Sequence, residues 1–183
     1  MQELPSDEKL LQLFENEQTQ NEAFSGIVQK YRKRLYWHIR KMVILHEDTD
    51  DLLQKTFIKA WKALPNFRSD SKLYTWLYRI ATNETLTFLE QKKRRNEASF
   101  QVYEHYLSET MMSDEYFSGD EAQKLLQKAI LTLPEKQRIV FNMKYFDEIK
   151  YQDMSDILDT SEGALKASYH HAVKKIEAFI KNR

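Results

Sequence analysis

Residues 50–61 read Asp50-Asp51-Leu52-Leu53-Gln54-Lys55-Thr56-Phe57-Ile58-Lys59-Ala60-Trp61. Leu53, Phe57 and Trp61 recur at every fourth position and Leu64 follows three later, which places one apolar stripe along a helix. Asp48 or Thr49 supplies a capping side chain at its start. Asp50 and Asp51 fall in the first turn, where the helix dipole favours anions, and Pro65 stops the helix. Upstream, Phe24, Ile27, Val28, Tyr31, Leu35, Ile39 and Met42 step by three and four through residues 22–43, with Lys30, Arg32, Lys33, Arg34 and Arg40 between them. A shorter amphipathic helix precedes these, capped by Ser6 and running to Gln18. Downstream, beyond the loop Pro65-Asn66-Phe67-Arg68-Ser69-Asp70, a further helix begins near Ser71. It carries Leu73, Trp76, Leu77, Ile80 and Phe88 inward and ends in Lys92-Lys93-Arg94-Arg95. Trp76, Leu77 and Ile80 read as core, while Tyr74 and Tyr78 are open between core and surface contact.

The composition agrees with an all-helical chain. Only 3 glycines and 3 prolines occur in 183 residues, too few for a protein built on tight turns between strands. There is no cysteine, which excludes disulfides, thiolate metal sites and a cysteine nucleophile, and suits a reducing compartment. No apolar run approaches the roughly 20 residues of a membrane span, and the acidic start lacks the features of a leader, so a soluble, cytoplasmic protein without membrane insertion is expected. The zero net charge conceals segregation. Residues 1–22 carry 1 basic and 6 acidic groups, 23–96 carry 16 and 7, 97–122 carry none and 7, and 123–183 carry 11 and 8. A strongly positive block offers a favourable potential to phosphate, and an acidic one repels nucleic acid or seeks a basic partner.

Residues 96–120 break the helical period, being acidic and serine-rich with scattered aromatics, and read as a linker. Helical patterning returns over Glu121 to Leu131, Glu135 to Phe146, Tyr151 to Leu158 and Ser161 to Ile180. The last two have the proportions of a helix-turn-helix. Met154, Ile157 and Leu158 are its buried positions, Asp159-Thr160-Ser161 is the turn, and Ser161 caps the second helix. Ala164, Leu165, Tyr169, Ala172, Val173 and Ile176 face inward, while Lys166, Ala167, His170, His171 and Lys174 look outward.

Taken together these stretches resemble the bacterial sigma factors of the extracytoplasmic-function type. The matching residues are 50–61, then Phe67-Arg68-Ser69-Asp70-Ser71 and Thr75-Trp76-Leu77-Tyr78-Arg79-Ile80-Ala81-Thr82-Asn83. In the second half they are residues 131–138 (LTLPEKQR), Tyr151-Gln152-Asp153-Met154-Ser155 and Ser161-Glu162-Gly163-Ala164-Leu165-Lys166. The resemblance implies two small helical domains: an N-terminal helical bundle (residues 1–96) and a C-terminal helix-turn-helix domain (121–183), joined by a flexible acidic linker (97–120). It implies an alternative sigma factor that binds core RNA polymerase, directs it to promoters and assists melting. Asp51, Gln54 and Phe57 would form the polymerase-binding surface. Phe67, Arg68 and Ser71 would surround a flipped-out base of the minus-ten element, with Arg79 and Asn83 beside it on the following helix. Lys166, Ala167, His170, His171 and Lys174 would read the minus-thirty-five element, with Lys144 on a phosphate. Its partners would be core polymerase, double- and single-stranded promoter DNA and, as for many relatives, an anti-sigma factor. Many relatives carry arginines where this chain has Ala167 and two histidines, so the second domain is expected to hold DNA weakly by itself.

Two other classes compete. A polymerase-independent helix-turn-helix regulator would account for the second half but would need neither the Asp51-Gln54-Phe57 surface nor the aromatic loop. An enzyme on a helical bundle would need convergent titratable groups. None of the five histidines follows a carboxylate by three residues, and no glycine-rich phosphate loop or metalloprotease motif occurs, so no catalytic residue, metal or cofactor is expected.

Overall fold

A computed structural model describes residues 5–43, 45–95 and 121–182, and the linker expected over 97–120 lies outside them. The described residues form eight α-helices and one 3-10 turn, without strands. In chain order they are α1 (Asp7–Phe14), α2 (Gln20–Val43), α3 (His46–Ala63), the 3-10 turn Leu64–Asn66, α4 (Leu73–Arg95), α5 (Glu121–Leu131), α6 (Glu135–Tyr145), α7 (Tyr151–Leu158) and α8 (Glu162–Lys181).

Local chemistry sets the ends of these helices. Ser6 caps α1 by accepting from the Lys9 amide at 3.2 Å. The helix stops at Phe14, short of the expected Gln18, because Asn16 and Thr19 take over the backbone. The Asn16 carboxamide accepts from the Gln18 amide at 2.9 Å and the Thr19 hydroxyl donates to the Leu13 carbonyl at 2.6 Å. α3 begins at His46, ahead of the expected cap at Asp48 or Thr49. Those two side chains serve elsewhere: Asp48 accepts from Lys92 Nζ at 2.8 Å, and buried Thr49 donates to the Leu45 carbonyl at 2.7 Å.

The N-terminal helices pack around Ile27, Leu35, Ile39, Leu52, Ala60 and Leu77, all fully or almost fully buried. An aromatic cluster ties α1, α2 and α3 together. Trp61 meets Phe14 edge-on at 5.3 Å and Phe24 at 5.0 Å, and Phe24 also meets Phe57 at 6.3 Å. α1 lies so close to α2 that a Cβ on Gly26 would come within 2.8 Å of a Leu10 methyl. Asp7 then anchors the helix, accepting from Lys30 at 2.7 Å and from the Tyr31 hydroxyl. Burial raises the Tyr31 phenol well above its ordinary value, and the Asp7 bond adds to it. Leu10 is 2 % exposed at this contact, so Leu10→Ala should cost about 2–5 kcal/mol, read as a lowered denaturant midpoint.

The second half packs its own small core from Ala129, Ile130, Leu133, Phe141, Ala172 and Ile176. Ile139, Val140, Met143, Ile149, Met154, Ile157 and Leu165 instead join the N-terminal core. α7 lies on α4, and α6 touches α2. A polar clasp sits beside that apolar contact. Asp147, with a side chain 8 % exposed, is 3.3 Å from His38 Nδ1 and pairs with Lys41. The other ring nitrogen of His38 lies 2.9 Å from the Thr82 hydroxyl, and Asn142 reaches the Lys41 carbonyl at 3.4 Å.

Burial alone would raise the Asp147 carboxyl, but the His38 hydrogen bond and the charges of His38 and Lys41 outweigh it, leaving a net lowering. A carboxyl that titrates lower when folded stabilises the fold fully above its unfolded value, near about pH 4, and loses that contribution as pH falls through the lowered value. Calorimetric scans from about pH 6 to about pH 2 should show the wild-type melting temperature falling in this acid window, with Asp147→Asn removing part of the slope.

Candidate nucleic-acid interface

Three surfaces carry the residues singled out by sequence. The first surrounds the loop between the 3-10 turn and α4. The Phe67 amide closes that turn on the Leu64 carbonyl at 3.0 Å, which brings the half-buried Phe67 ring to 5.1 Å from Trp76 at 47°. Ser69 follows with φ of 58°, an unusual conformation for a residue with a side chain, and bends the loop back toward α4. Arg68 is exposed within it. Ser71, Trp76 and Arg79 then line a cavity of about 240 Å³. Phe67, Ser71 and Lys72 line a neighbouring cleft of about 490 Å³. The fold thus brings Phe67, Ser71 and Arg79 to adjoining clefts. Asn83 is exposed one turn beyond Arg79 on the same face of α4 and lines neither cleft.

Trp76 belongs to this site as well as to the packing. It is half-buried and supplies an aromatic wall, whereas its spacing had placed it among the core residues. Leu77 is fully buried, in line with a core role, and Ile80 is half-buried against the core. Tyr78 resolves to the core at 2 % exposure. Tyr74 is half-buried, and its phenol is pushed up to about 12 by burial and by a hydrogen bond to Asp153.

The second surface is the outer side of α8. Lys166, Ala167, His170, His171 and Lys174 are all exposed, and their spacing puts them on one face. Leu165, Ala172 and Ile176 are buried opposite, with Tyr169 and Val173 half-buried. Ala164 is a correction, because it is exposed instead of facing inward. It sits in the first turn, where its amide donates to the Ser161 cap at 3.4 Å. The turn before α8 closes through Asp159, whose φ of 49° ends α7 in the left-handed conformation. Lys144 and Lys166, far apart in sequence, converge on one ring. Their ammonium groups lie 5.1 and 5.5 Å from the centre of Tyr151. Lys144 also reaches the Ile149 carbonyl at 3.5 Å, and Lys166 pairs with Glu162 at 3.2 Å.

A third face lies on α3. Asp51 and Gln54 are exposed, but Phe57 is half-buried against Phe24 and contributes as much to packing as to the surface. Ile58 is 48 % exposed and continues the Asp51–Gln54 line at the next turn. It was missed because the reading followed the buried stripe. Its signal was an isoleucine off that stripe, next to Phe57.

These surfaces offer stacking planes, hydrogen-bond donors and cations. Among the described residues no group of three or more His, Cys, Asp or Glu is placed to hold a metal ion. No helix among them is long and apolar enough to cross a membrane.

Comparison with known proteins matches both halves. Residues 27–95 fit the model of Sigma-70 region 2, and residues 123–176 that of Sigma-70, region 4. The RNA polymerase sigma-H factor of Pseudomonas aeruginosa is 30% identical over 163 residues, spanning 85% of this chain and 84% of that protein. The ECF RNA polymerase sigma factor SigW of Bacillus subtilis is 29% identical over 157 residues, 81% of this chain and 84% of the relative. The fold is shared with the sigma factor RpoE of Bartonella quintana, solved in complex with the anti-sigma factor NepR. That match has a TM-score of 0.68 at 21% identity and covers 86% of this chain and 96% of the other. With regions 2 and 4 matched in order and a 30% identical relative covered over most of its length, the chain belongs to the sigma-70 family, as a sigma factor of the extracytoplasmic-function type.

Proposed function

We propose that this chain is an alternative sigma factor that binds core RNA polymerase, carries it to a subset of promoters and helps open the DNA. The observation that carries this reading is the aromatic cleft of Phe67 and Trp76 with Ser71 and Arg79 beside it, on the same helical bundle as an exposed Asp51–Gln54–Ile58 face. Extracting a base from the duplex costs a few kcal/mol, and stacking on an aromatic side chain returns about 1–3 kcal/mol per base. A cleft with two rings and a guanidinium can offset much of the opening cost by binding alone. Residues 1–96 would thus engage polymerase and the minus-ten element, with Arg68 and Asn83 completing the strand contacts.

Residues 121–183 would read the minus-thirty-five element. An exposed helix face suits the major groove, where base edges present distinguishable donors and acceptors. Lys166, His170 and His171 supply the hydrogen-bonding groups, Ala167 an apolar contact, and Lys144 and Lys174 attract phosphate. The α8 face carries no arginine, so this half depends on polymerase to hold it on DNA. The seven carboxylates of residues 97–122 suit a path lined by basic groups. An anti-sigma factor is a further partner, competing for the same surfaces. Work on DNA with core polymerase places the chain in the cytoplasm, and it needs no chemistry of its own.

A regulator acting without polymerase leaves the α3 face and the loop cleft without a role, and no observation favours it. Run-off transcription from a randomised promoter library, using purified core polymerase with and without the chain, tests the reading. A selected set of start sites that depends on the chain is expected, and an identical transcript set in both reactions would refute it.

A further inference from the structure

Tyr151 is the first residue of α7, and its half-buried ring packs on the core. Two ammonium groups from other helices lie over that ring, Lys144 of α6 at 5.1 Å and Lys166 of α8 at 5.5 Å from its centre. Three helices therefore meet through one aromatic side chain. Burial and Tyr169 raise the phenol above its ordinary value, with Lys166 acting against them, so the ring carries no charge near neutral pH.

A cation over an aromatic face is drawn to the negative side of the ring quadrupole, an attraction that an aliphatic side chain cannot supply. A lysine otherwise moves freely on its long stem and gives up that freedom when it engages a phosphate. A ring that already holds the ammonium removes part of this loss before DNA arrives, so affinity rises without a new contact to the ligand. The other partners of the two lysines are weak. Lys144 reaches the Ile149 carbonyl at 3.5 Å, and the exposed pair of Lys166 with Glu162 is screened by water, which lets a phosphate take the place of the carboxylate.

We propose that Tyr151 is a positioning residue for DNA binding: its ring holds Lys144 and Lys166 together, so that duplex DNA meets two ammonium groups already in place. The inference rests on the reading of α8 as a DNA-binding face. It goes further by making a residue of the supporting helix, outside that face, a determinant of affinity.

The test uses the full chain and a fluorescein-labelled duplex of random sequence, read by anisotropy at low salt, where phosphate contacts dominate and no promoter sequence is needed. Tyr151→Phe keeps the ring and should bind as the wild type does. Tyr151→Leu keeps apolar bulk without the ring and should bind about fivefold more weakly, equivalent to about 1 kcal/mol. Lys144→Ala with Lys166→Ala should weaken binding and reduce the slope of log affinity on log salt by about 2. In that background Tyr151→Leu should cost nothing further, an outcome that a merely structural ring would not give. Nuclear magnetic resonance of the wild type adds a reading that needs no replacement: the ring current should move the ε-methylene protons of Lys144 and Lys166 upfield of those of the other lysines. Equal affinity of Tyr151→Leu and wild type, equal losses from Tyr151→Phe and Tyr151→Leu, a loss that persists without the two lysines, or unshifted ε-protons would each overturn the proposal. Absence of duplex binding by the wild type would overturn it together with the DNA-binding reading of α8. Failure to select promoters in the run-off reaction, with duplex binding retained, would strike the sigma-factor reading alone.

Discussion

Asp51→Arg combined with Gln54→Arg should weaken assembly with core RNA polymerase by at least about 30-fold while leaving the fold intact. Both side chains are exposed on α3, and no hydrogen bond or ion pair of either is seen among the described residues, so their replacement removes no packing there. Leu52, Leu53 and Thr56 on the opposite side of the helix hold it in the bundle and are untouched. On the proposed interface, a pair of bulky like charges would confront a surface that meets an acid and an amide in the wild type. Central interface residues commonly contribute 2 kcal/mol or more, so affinity should fall at least about 30-fold. A fluorescence titration of labelled chain with core polymerase measures this, and an unchanged helical circular dichroism spectrum excludes misfolding. Phe57→Ala is a poorer probe of the same face, because its ring packs edge-on against Phe24 and its loss disturbs the aromatic cluster.

Phe67→Ala should uncouple DNA binding from DNA opening. The ring is half-buried, stands 5.1 Å from Trp76 and follows the 3-10 turn, so truncation opens the cleft without removing a core side chain. Losing one stacking surface forfeits about 1–3 kcal/mol, or roughly 5- to 150-fold in the amount of opened complex. Closed-complex formation on duplex promoter should change far less, since the α8 face and the phosphate contacts remain. On a template already mismatched across the minus-ten element the defect should shrink, because the unstacking cost has been removed in advance. Permanganate reactivity of thymines on matched and mismatched templates gives both values. An equal defect on the two templates would assign Phe67 to general DNA affinity instead of melting.

The helices were legible because their apolar stripes are long and regular. The patterns of α2 and α4 include the fully buried Ile27, Leu35, Ile39 and Leu77 but pass over buried polar residues such as His38, Arg40, Thr82 and Thr85, and Ser161 was recognisable as a cap from its place before a periodic segment. Helix ends were legible only where a capping side chain acts on its own helix. Asp48 has the sequence of a cap, but its carboxylate is committed to Lys92 on α4, a partner 44 residues away that no local rule can foresee. The loop site was readable in part. Phe67 and Arg79 were reached through the family resemblance, whereas Trp76 followed the apolar pattern and was assigned to the core, against which it packs while also lining the cavity. Sequence reading gave no sign of the contact between the halves. Asp147, Asp153 and Asp156 look like ordinary solvated carboxylates until the fold sets His38, Lys41, Lys72 and Arg79 beside them. Such pairings depend on tertiary placement across more than 70 residues, and a periodicity of three or four carries no information about them.

The central claim is that this chain gives core polymerase an ability neither has alone, the selective opening of a promoter. Promoter fragments recovered from the randomised library can be probed with permanganate in three mixtures: core polymerase alone, the chain alone and both together. Reactive thymines confined to the minus-ten region, present with both components and absent with either one, are the predicted result. Reactivity produced by the chain without polymerase, or none in the complete mixture despite stable assembly, would contradict it.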